Sequence, residues 1–192
     1  MGLVDRCLRK GGECTWGYRK IILNLRSIGY RPRVVVSDGG TGIFSCLKHF
    51  NIRNHQRCHV HVLRDLRIGL RMPAKRMRYT KRKWYIYRYA KLLLGSINEK
   101  QKEVRLYHFM RVINYMWPPH GEGEQNIIKT FIRNLPKLFI FMEYEGIWNI
   151  PKTTNLIESY ISRVNSRLKT MRGLKSPANA ELLLKAIHYY LR

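Results

Sequence analysis

The stretch RVVVSDGG, residues 33–40, decides the fold class of this 192-residue chain. Its run of three valines is typical of a strand that is buried on both faces, and the run stops at Asp38-Gly39-Gly40. A second short strand is predicted at 54–58, with a helix at 41–50 before it and another helix after it. Strands and helices that alternate in this way predict an α/β fold with parallel strands.

Hydrophobic periodicity predicts mainly helices in the rest of the chain. Ile21, Ile22, Leu25 and Ile28 recur at helical spacing and predict a helix that runs from Thr15 to a stop at Gly29. Residues 74–116 are rich in Arg, Lys, Tyr and Leu, which predicts helices, and the sequence at 117–121 interrupts them. The predicted elements outside the 33–70 region are a strand at 3–8, helices at 15–29, 126–141, 155–170 and 177–191, and two or three amphipathic helices within 74–116.

Positive charge dominates the composition. Lys and Arg number 37 and Asp and Glu number 12, which gives a net charge of +25, while 45% hydrophobic residues are enough to form a folded core. Such a charge indicates a polyanionic partner, either nucleic acid or an anionic membrane surface. No apolar run approaches the roughly 20 residues that span a bilayer, and the first residues lack the apolar core of a signal peptide. We therefore expect a soluble, intracellular protein.

Two of the twelve carboxylates occupy positions that suit a metal ion. Asp38 follows a strand, and ligands of open α/β sheets collect beyond the carboxyl ends of strands. A carboxylate there, beside glycines, suits Mg²⁺, although Ser37-Asp38-Gly39 also fits an ordinary Asx turn. Glu158 falls in the first turn of a basic helix, where it could bind a metal or serve as the glutamate of a capping box that begins at Asn155.

Cys58 and His61 have the C-x2-H spacing of half a zinc site. The other cysteines, at positions 7, 14 and 46, supply no recognisable second half, and no CxxC pair is present. The alternative is that Cys58 packs as a small hydrophobic residue at the end of its strand and that His61 starts the next helix. Reduced thiols are expected in either case.

Basic residues cluster between positions 64 and 91, where aromatic residues are interleaved with them. This combination suits phosphate neutralisation and stacking on bases, whereas a purely structural interpretation assigns the aromatic residues to the core of the helical segment. We favour the structural interpretation for the aromatic residues and DNA contacts for the cations. The residues expected to contact DNA are Arg64, Arg67, Arg71, Lys75, Arg76, Lys81, Arg82, Lys83, Lys152, Asn155, Arg163 and Arg167.

Three ordered motifs resemble those of the Mutator-like class of DDE transposases: VVSDG at 35–39, HQRCHVHVLRDL at 55–66 and TTNLIES at 153–159. Glu13 and Trp16 also resemble the Glu-x-x-Trp arrangement of that family. The resemblance covers most of the chain, and three motifs in order are more specific than any one of them. It implies an RNase H-like α/β core, with an incomplete sheet and an all-helical insertion before the helix that bears the glutamate.

The resemblance also implies an activity. Asp38 and Glu158 would be the second and third acidic ligands of a two-metal site for Mg²⁺ or Mn²⁺, and Cys58 and His61 would form the family's C-x2-H motif. Such metals activate a water or a DNA 3′-hydroxyl and stabilise the leaving oxygen during strand cleavage and transfer. The implied partner is DNA, both transposon ends and target, bound by a homo-oligomer in a synaptic complex. The implied location is the nucleoid-associated cytoplasm of a prokaryote.

The family's first catalytic aspartate lies on an early strand, farther upstream than the twelve residues that precede Glu13. Asp5 is the aspartate available there, and its position suggests a later strand, so it is the weaker candidate ligand. The sequence therefore predicts an N-terminally truncated copy with impaired activity. We divide it into a partial RNase H-like core at 1–73, a helical insertion at 74–150 and C-terminal helices at 151–192. The alternatives are a non-catalytic DNA-binding derivative of a transposase and a basic RNA-binding protein without a metal site.

Overall fold

The computed structural model describes residues 15–72 and 80–170, apart from the side chains of 164, 165 and 167–170. Its elements are α1 (Thr15–Ser27), β1 (Val34–Ser37), α2 (Thr41–His49), β2 (Asn54–Arg57), α3 (His59–Gly69), α4 (Lys81–Leu94), α5 (Glu99–Arg111), α6 (Gly121–Asn134), α7 (Ile140–Glu143) and α8 (Asn155–Thr170). A π-helical turn, Val112–Met116, continues α5, and a 3₁₀ turn, Leu135–Leu138, continues α6. The predicted strand at 3–8 and helix at 177–191 lie outside the described residues, as do Asp5 and Glu13.

The valine run forms β1, which pairs in parallel with β2. Val34 lies opposite Asn54 and Ser37 lies opposite Arg57, so both strands end at the same edge of the sheet. This parallel pair, with a helix after each strand, agrees with the predicted α/β class. The expectation that β1 is buried on both faces is wrong, because all four of its residues are only partly buried. The sheet has two strands within the described residues, and a single neighbour covers a strand less completely than two do.

The helix α1 ends as its sequence predicts. Gly29 adopts φ +82°, and its N–H donates to the Arg26 carbonyl at 3.0 Å while the Tyr30 N–H donates to the Leu25 carbonyl at 2.9 Å. This pair of bonds is a Schellman motif, which needs a residue in the left-handed region. Ile28 was counted among the apolar positions at helical spacing, but it lies beyond the last helical residue, Ser27, and is 68% exposed.

The chain divides into two compact units, of which the first comprises residues 1–33, 40–52 and 154–192. Among its described residues, α1 packs against α2, and the Arg26 guanidinium lies 4.7 Å from the centre of the Phe50 ring and donates to the Phe50 carbonyl at 3.0 Å. The buried side chains of this unit are Ile22, Ile43, Cys46, Leu47, Phe50 and Ile52. The helix α8 also belongs to this unit.

The second unit comprises residues 34–39 and 53–153 and contains both strands and the helices α3 to α7. Its hydrophobic core centres on Phe109, which is fully buried and lies 5.3 Å from the Phe131 ring. At Gly69 the helices α3 and α6 approach so closely that a Cβ would overlap the Ile127 side chain. A single apolar core thus joins α3, the helix that follows β2, to the helices in the middle of the chain.

The three tyrosines of α4 belong to this core rather than to the surface. Tyr85, Tyr87 and Tyr89 all pack against the buried cluster, and Tyr85 stacks on Trp117 with ring centres 5.6 Å apart. This confirms the structural interpretation of these three tyrosines. The ring of Trp84, by contrast, carries the Arg88 guanidinium at 4.8 Å.

The helix α6 begins at Gly121, five residues before the predicted start at 126. Glu122 and Glu124 occupy its first turn, where carboxylates interact favourably with the exposed N–H groups of a helix. The Glu124 carboxylate accepts the backbone N–H of His120 at 2.9 Å. The polar sequence before Asn126 therefore caps the helix, although it contributes little to the hydrophobic periodicity.

Candidate functional site

Asp38 lies in the turn that directly follows β1, and it is partly buried. Its carbonyl oxygen accepts a hydrogen bond from Arg57 Nη2 at 2.7 Å. The Arg57 side chain is 11% exposed and also lies 3.6 Å from the Asp65 carboxylate. Gly39 adopts φ +88°, and a Cβ at this position would overlap the Arg57 guanidinium. Glycine thus permits both the left-handed turn and the close approach of the arginine.

The other side of the turn is held by Ser37 and His55. Ser37 Oγ accepts the Gly39 N–H at 3.1 Å and lies 2.7 Å from His55 Nε2. Burial, more than any neighbouring charge, lowers the pKa of His55 to about 4, so the imidazole is neutral at neutral pH. A neutral imidazole can accept a hydrogen bond from the Ser37 hydroxyl at Nε2. Together with Arg57, these bonds hold the backbone around Asp38.

The motif at 55–61 also contains residues that form hydrogen bonds between the β2 region and backbone groups about 80 residues later in the chain. Gln56 is fully buried; its Nε2 donates to the Leu138 carbonyl at 3.0 Å and its Oε1 accepts the Phe141 N–H at 3.2 Å. His59 Nε2 donates to the same Leu138 carbonyl at 2.6 Å. Sequence reasoning missed this role for Gln56 and His59. All four residues of β2, Asn-His-Gln-Arg, are polar, and a strand of polar residues between two helices is the signal that could have indicated it, because buried polar side chains need hydrogen-bond partners.

Cys58 and His61 lie at the start of α3. Cys58 is fully buried, and its N–H donates to the Ser37 carbonyl at 2.8 Å, which continues the parallel pairing by one residue. Its burial agrees with packing as a small hydrophobic residue. The helix begins at His59, so His61 is its third residue rather than its first, and its side chain is partly buried. Zinc binding by Cys58 and His61 was the other alternative, and these positions do not test it.

Glu158 is the fourth residue of α8, which spans 155–170 as the sequence predicts. Its Oε1 accepts the Thr154 hydroxyl at 2.5 Å, and its N–H donates to the Thr154 carbonyl at 3.0 Å. Asn155 is already helical, so Glu158 lies one position beyond that of a capping-box glutamate. The carboxylate is partly buried, at the N-terminal turn of the helix.

The sequence matches the family model described as transposase, Mutator family, over residues 10–189. The chain belongs to the Mutator family of transposases. No curated protein and no solved structure shows a significant match. The family membership confirms the resemblance carried by the three motifs, and DNA is the polyanion that a transposase binds. Among the described residues of this transposase, no helix is long and apolar enough to cross a membrane.

Several cations expected to contact DNA share solvent-facing sides of two helices of the transposase. On α3, Arg64 is exposed and Arg67, three residues later on the same side of the helix, is partly buried. Arg71 is also exposed, but it lies two residues beyond the end of the helix at Gly69 and has φ +51°. The opposite face of α3 is apolar and packs into the core. On α4, Lys81 is exposed, and it shares its face with the exposed Arg88 and Lys91.

Other predicted DNA contacts already have protein partners. The Arg82 guanidinium forms an ion pair with Glu124, and Lys83 Nζ lies 3.4 Å from the same carboxylate. Lys152 Nζ donates to the Ser96 carbonyl at 3.0 Å and lies 4.4 Å from the centre of the Phe141 ring. Two further members of the set, Asn155 and Arg163, are exposed on α8. The side chain of Arg167 and the whole of Lys75 and Arg76 lie outside what the structure describes.

Proposed function

We propose that this chain is the catalytic part of a DDE transposase and that Asp38 and Glu158 each supply a carboxylate ligand to divalent metal ions. The observation that carries the proposal is the Asp38 turn: it lies where a parallel strand ends and is held through its backbone by Arg57 and Ser37. The proposal includes an RNase H-like core at 1–73, a helical insertion at 74–150 and completion of the core by 151–192.

The residues of the turn fit a hard cation. Mg²⁺ and Mn²⁺ prefer carboxylate oxygens, and Asp38 supplies a carboxylate from a backbone whose carbonyl accepts a bond from Arg57 and whose next N–H, that of Gly39, donates to Ser37 Oγ. Bound metal ions would activate a water or a DNA 3′-hydroxyl for attack on a phosphodiester and stabilise the leaving oxygen. The contribution of this chain is to hold the carboxylate in a preorganised turn.

The helix α3 supplies a surface for the DNA backbone. It begins directly after β2, at the same end of the sheet as Asp38, and carries Arg64 and Arg67 on one side, while the exposed Arg71 follows two residues after the helix ends. Guanidinium groups at this spacing can follow successive phosphates of a strand. We propose that these arginines position DNA relative to the Asp38 turn.

Metal binding tests the catalytic part of the proposal. Asp38→Asn and Glu158→Gln should each weaken Mn²⁺ binding by about tenfold or more, because each removes one anionic ligand of a hard cation. The measurement is Mn²⁺ titration followed by electron paramagnetic resonance. Glu145→Gln, which neutralises an exposed carboxylate of the second unit, is the matched control and should bind Mn²⁺ normally. Unchanged Mn²⁺ binding in both Asp38 and Glu158 variants would favour a non-catalytic DNA-binding derivative.

The salt dependence of duplex binding tests the role of α3. Arg64→Ala and Arg71→Ala should each reduce the slope of log affinity against log salt by about 0.9, because each removes one phosphate contact. Fluorescence anisotropy with a labelled duplex at several salt concentrations gives the slope. Lys129→Ala removes an exposed cation of α6 outside the predicted set and should leave the slope unchanged. Equal slopes for all four proteins would contradict the proposed DNA path.

A further inference from the structure

One face of α5 and its π-helical turn carries exposed residues that the fold does not use. We call Lys100, Tyr107, Arg111 and Tyr115 the tyrosine face. Tyr107 is 63% exposed and Tyr115 is 81% exposed. Across the part of the chain that the structure describes, the side chains of Arg111 and Tyr115 make no hydrogen bond, ion pair or ring contact, and the Tyr107 ring contacts only that of the adjacent His108, with ring centres 5.6 Å apart. The opposite side of the same helix is buried and includes Phe109.

The π-helical turn brings the two tyrosines towards the same side. In an unbroken α-helix, a residue eight positions later is rotated by about 80°. The N–H of Trp117 instead donates to the Val112 carbonyl at 2.7 Å, an i→i+5 bond, and this wider turn rotates less per residue. Tyr115 is therefore brought closer to alignment with Tyr107, with Arg111 between them, over about 12 Å or less along the helix axis.

We propose that the tyrosine face binds an unpaired segment of DNA strand. Exposed tyrosine rings offer flat apolar surfaces on which bases stack irrespective of sequence. The Arg111 guanidinium lies between the two tyrosines along the helix and can neutralise a phosphate between the stacked bases. Lys100 lies two turns before Tyr107, beyond the exposed Glu103, and can contact a phosphate farther along the strand. Since bases in a stacked strand rise by about 3.4 Å, the two rings are separated by about three to four nucleotides. Neither Lys100 nor Arg111 is among the cations that the sequence predicts to contact DNA.

A second copy of the chain is the other partner that an exposed aromatic face could bind. Two copies that each carry a net charge of +25 repel one another, and burial of Arg111 and Lys100 in a symmetric contact would remove cations from water without a counter-charge. A DNA strand supplies that counter-charge. The inference rests on DNA as the partner and does not depend on the metal site.

The test is the affinity for a fluorescently labelled 12-nucleotide oligothymidine, followed by anisotropy. Tyr107→Ala and Tyr115→Ala should each weaken binding by about 5- to 100-fold, the range of one stacked base. Arg111→Ala should reduce the salt slope by about 0.7, the value for one contact to a single strand. Tyr107→Phe and Tyr115→Phe keep a flat ring and should bind nearly normally. Tyr30→Ala, which removes a tyrosine that is 59% exposed in the first unit, is the matched control.

Three results would overturn the inference. Tyrosine variants that bind the oligonucleotide as tightly as Tyr30→Ala would exclude stacking on this face. Equal losses for single strand and duplex would indicate a general contact without unpaired bases. A lower mass of the tyrosine variants in light scattering, with unchanged DNA affinity, would assign the face to a second copy. The oligothymidine assay contains no divalent metal ion, so a failure of the metal-site proposal is measured separately.

Discussion

Glu124→Gln should lower the free energy of unfolding by about 2 kcal/mol at pH 7. The Glu124 carboxylate forms a bidentate ion pair with the Arg82 guanidinium, in which Nη2 lies 2.9 Å from Oε1. Their side chains are 13% and 11% exposed, so the substitution leaves a nearly buried guanidinium without its counter-charge. Solvent at the edge of the pair screens the charges, which is why we expect less than the full value of the pKa shift.

The same interaction predicts a pH dependence. Burial by itself raises the pKa of Glu124, but hydrogen bonds from Arg82, the His120 N–H and Lys83 outweigh it and lower the pKa to about 2 from 4.5. Because the folded protein has the lower pKa, this stabilisation is fully present above about pH 4.5 and is lost as the pH falls towards 2. The stability difference between the unsubstituted protein and Glu124→Gln should therefore shrink across that interval.

Urea denaturation at pH 7, 5, 4 and 3 measures the difference. Glu122→Gln is the control, since Glu122 is exposed in the same first turn of α6 and should change stability by less than about 0.5 kcal/mol. If the Glu124 and Glu122 variants had the same stability at pH 7, the pair with Arg82 would have no net stabilising effect. A difference that did not depend on pH would contradict the lowered pKa of Glu124.

Gly39→Ala should lower the free energy of unfolding by about 3 kcal/mol and should also weaken the Mn²⁺ binding that we propose for Asp38. Roughly 1 to 2 kcal/mol comes from placing a Cβ at φ +88°. A further 1.5 to 3 kcal/mol, approximately, comes from displacing the Arg57 guanidinium, which the new Cβ would overlap, from its hydrogen bond to the Asp38 carbonyl. The backbone that carries Asp38 would then be held on one side only.

Gly29→Ala separates backbone strain from displacement of the arginine. Gly29 has φ +82°, but no atom lies within 4 Å of the position of an added Cβ. This variant should lose only the strain contribution of about 1 to 2 kcal/mol and keep its Mn²⁺ affinity. Chemical denaturation and Mn²⁺ titration of both variants give the comparison. Equal destabilisation of the two would mean that the contact between Gly39 and Arg57 does not stabilise the turn.

Local patterns in the sequence were sufficient wherever an element depends on neighbouring residues. The valine run at 34–36 and the helical periodicity at 155–170 predicted β1 and α8, and Gly29 predicted the end of α1. Burial was harder to predict, because it depends on the elements that pack against a residue. Ile28 is exposed and β1 is only partly buried for this reason.

Contacts between residues far apart in the chain could not be read from spacing. Arg82 and Glu124 are separated by 42 positions, and Gln56 and Leu138 by 82 positions. Each side chain has many possible partners in an unfolded chain, and only the packed helices select one. Sequence reasoning consequently assigned Arg82 and Lys83 to DNA, whereas the fold also gives them an acidic partner. The alignment of Tyr107 with Tyr115 likewise depends on one wide helical turn that no residue spacing predicted.

The sequence by itself determined the transposase family, the positive charge that suits DNA, and a carboxylate at the end of a strand. These depend on residue type and order, which folding does not change. The tertiary structure decided which cations face solvent and which neutralise an acid, and how the backbone around Asp38 is held. The physical reason is that charge and hydrogen-bonding capacity belong to single residues, whereas exposure, pairing and orientation are determined by the elements that pack around them.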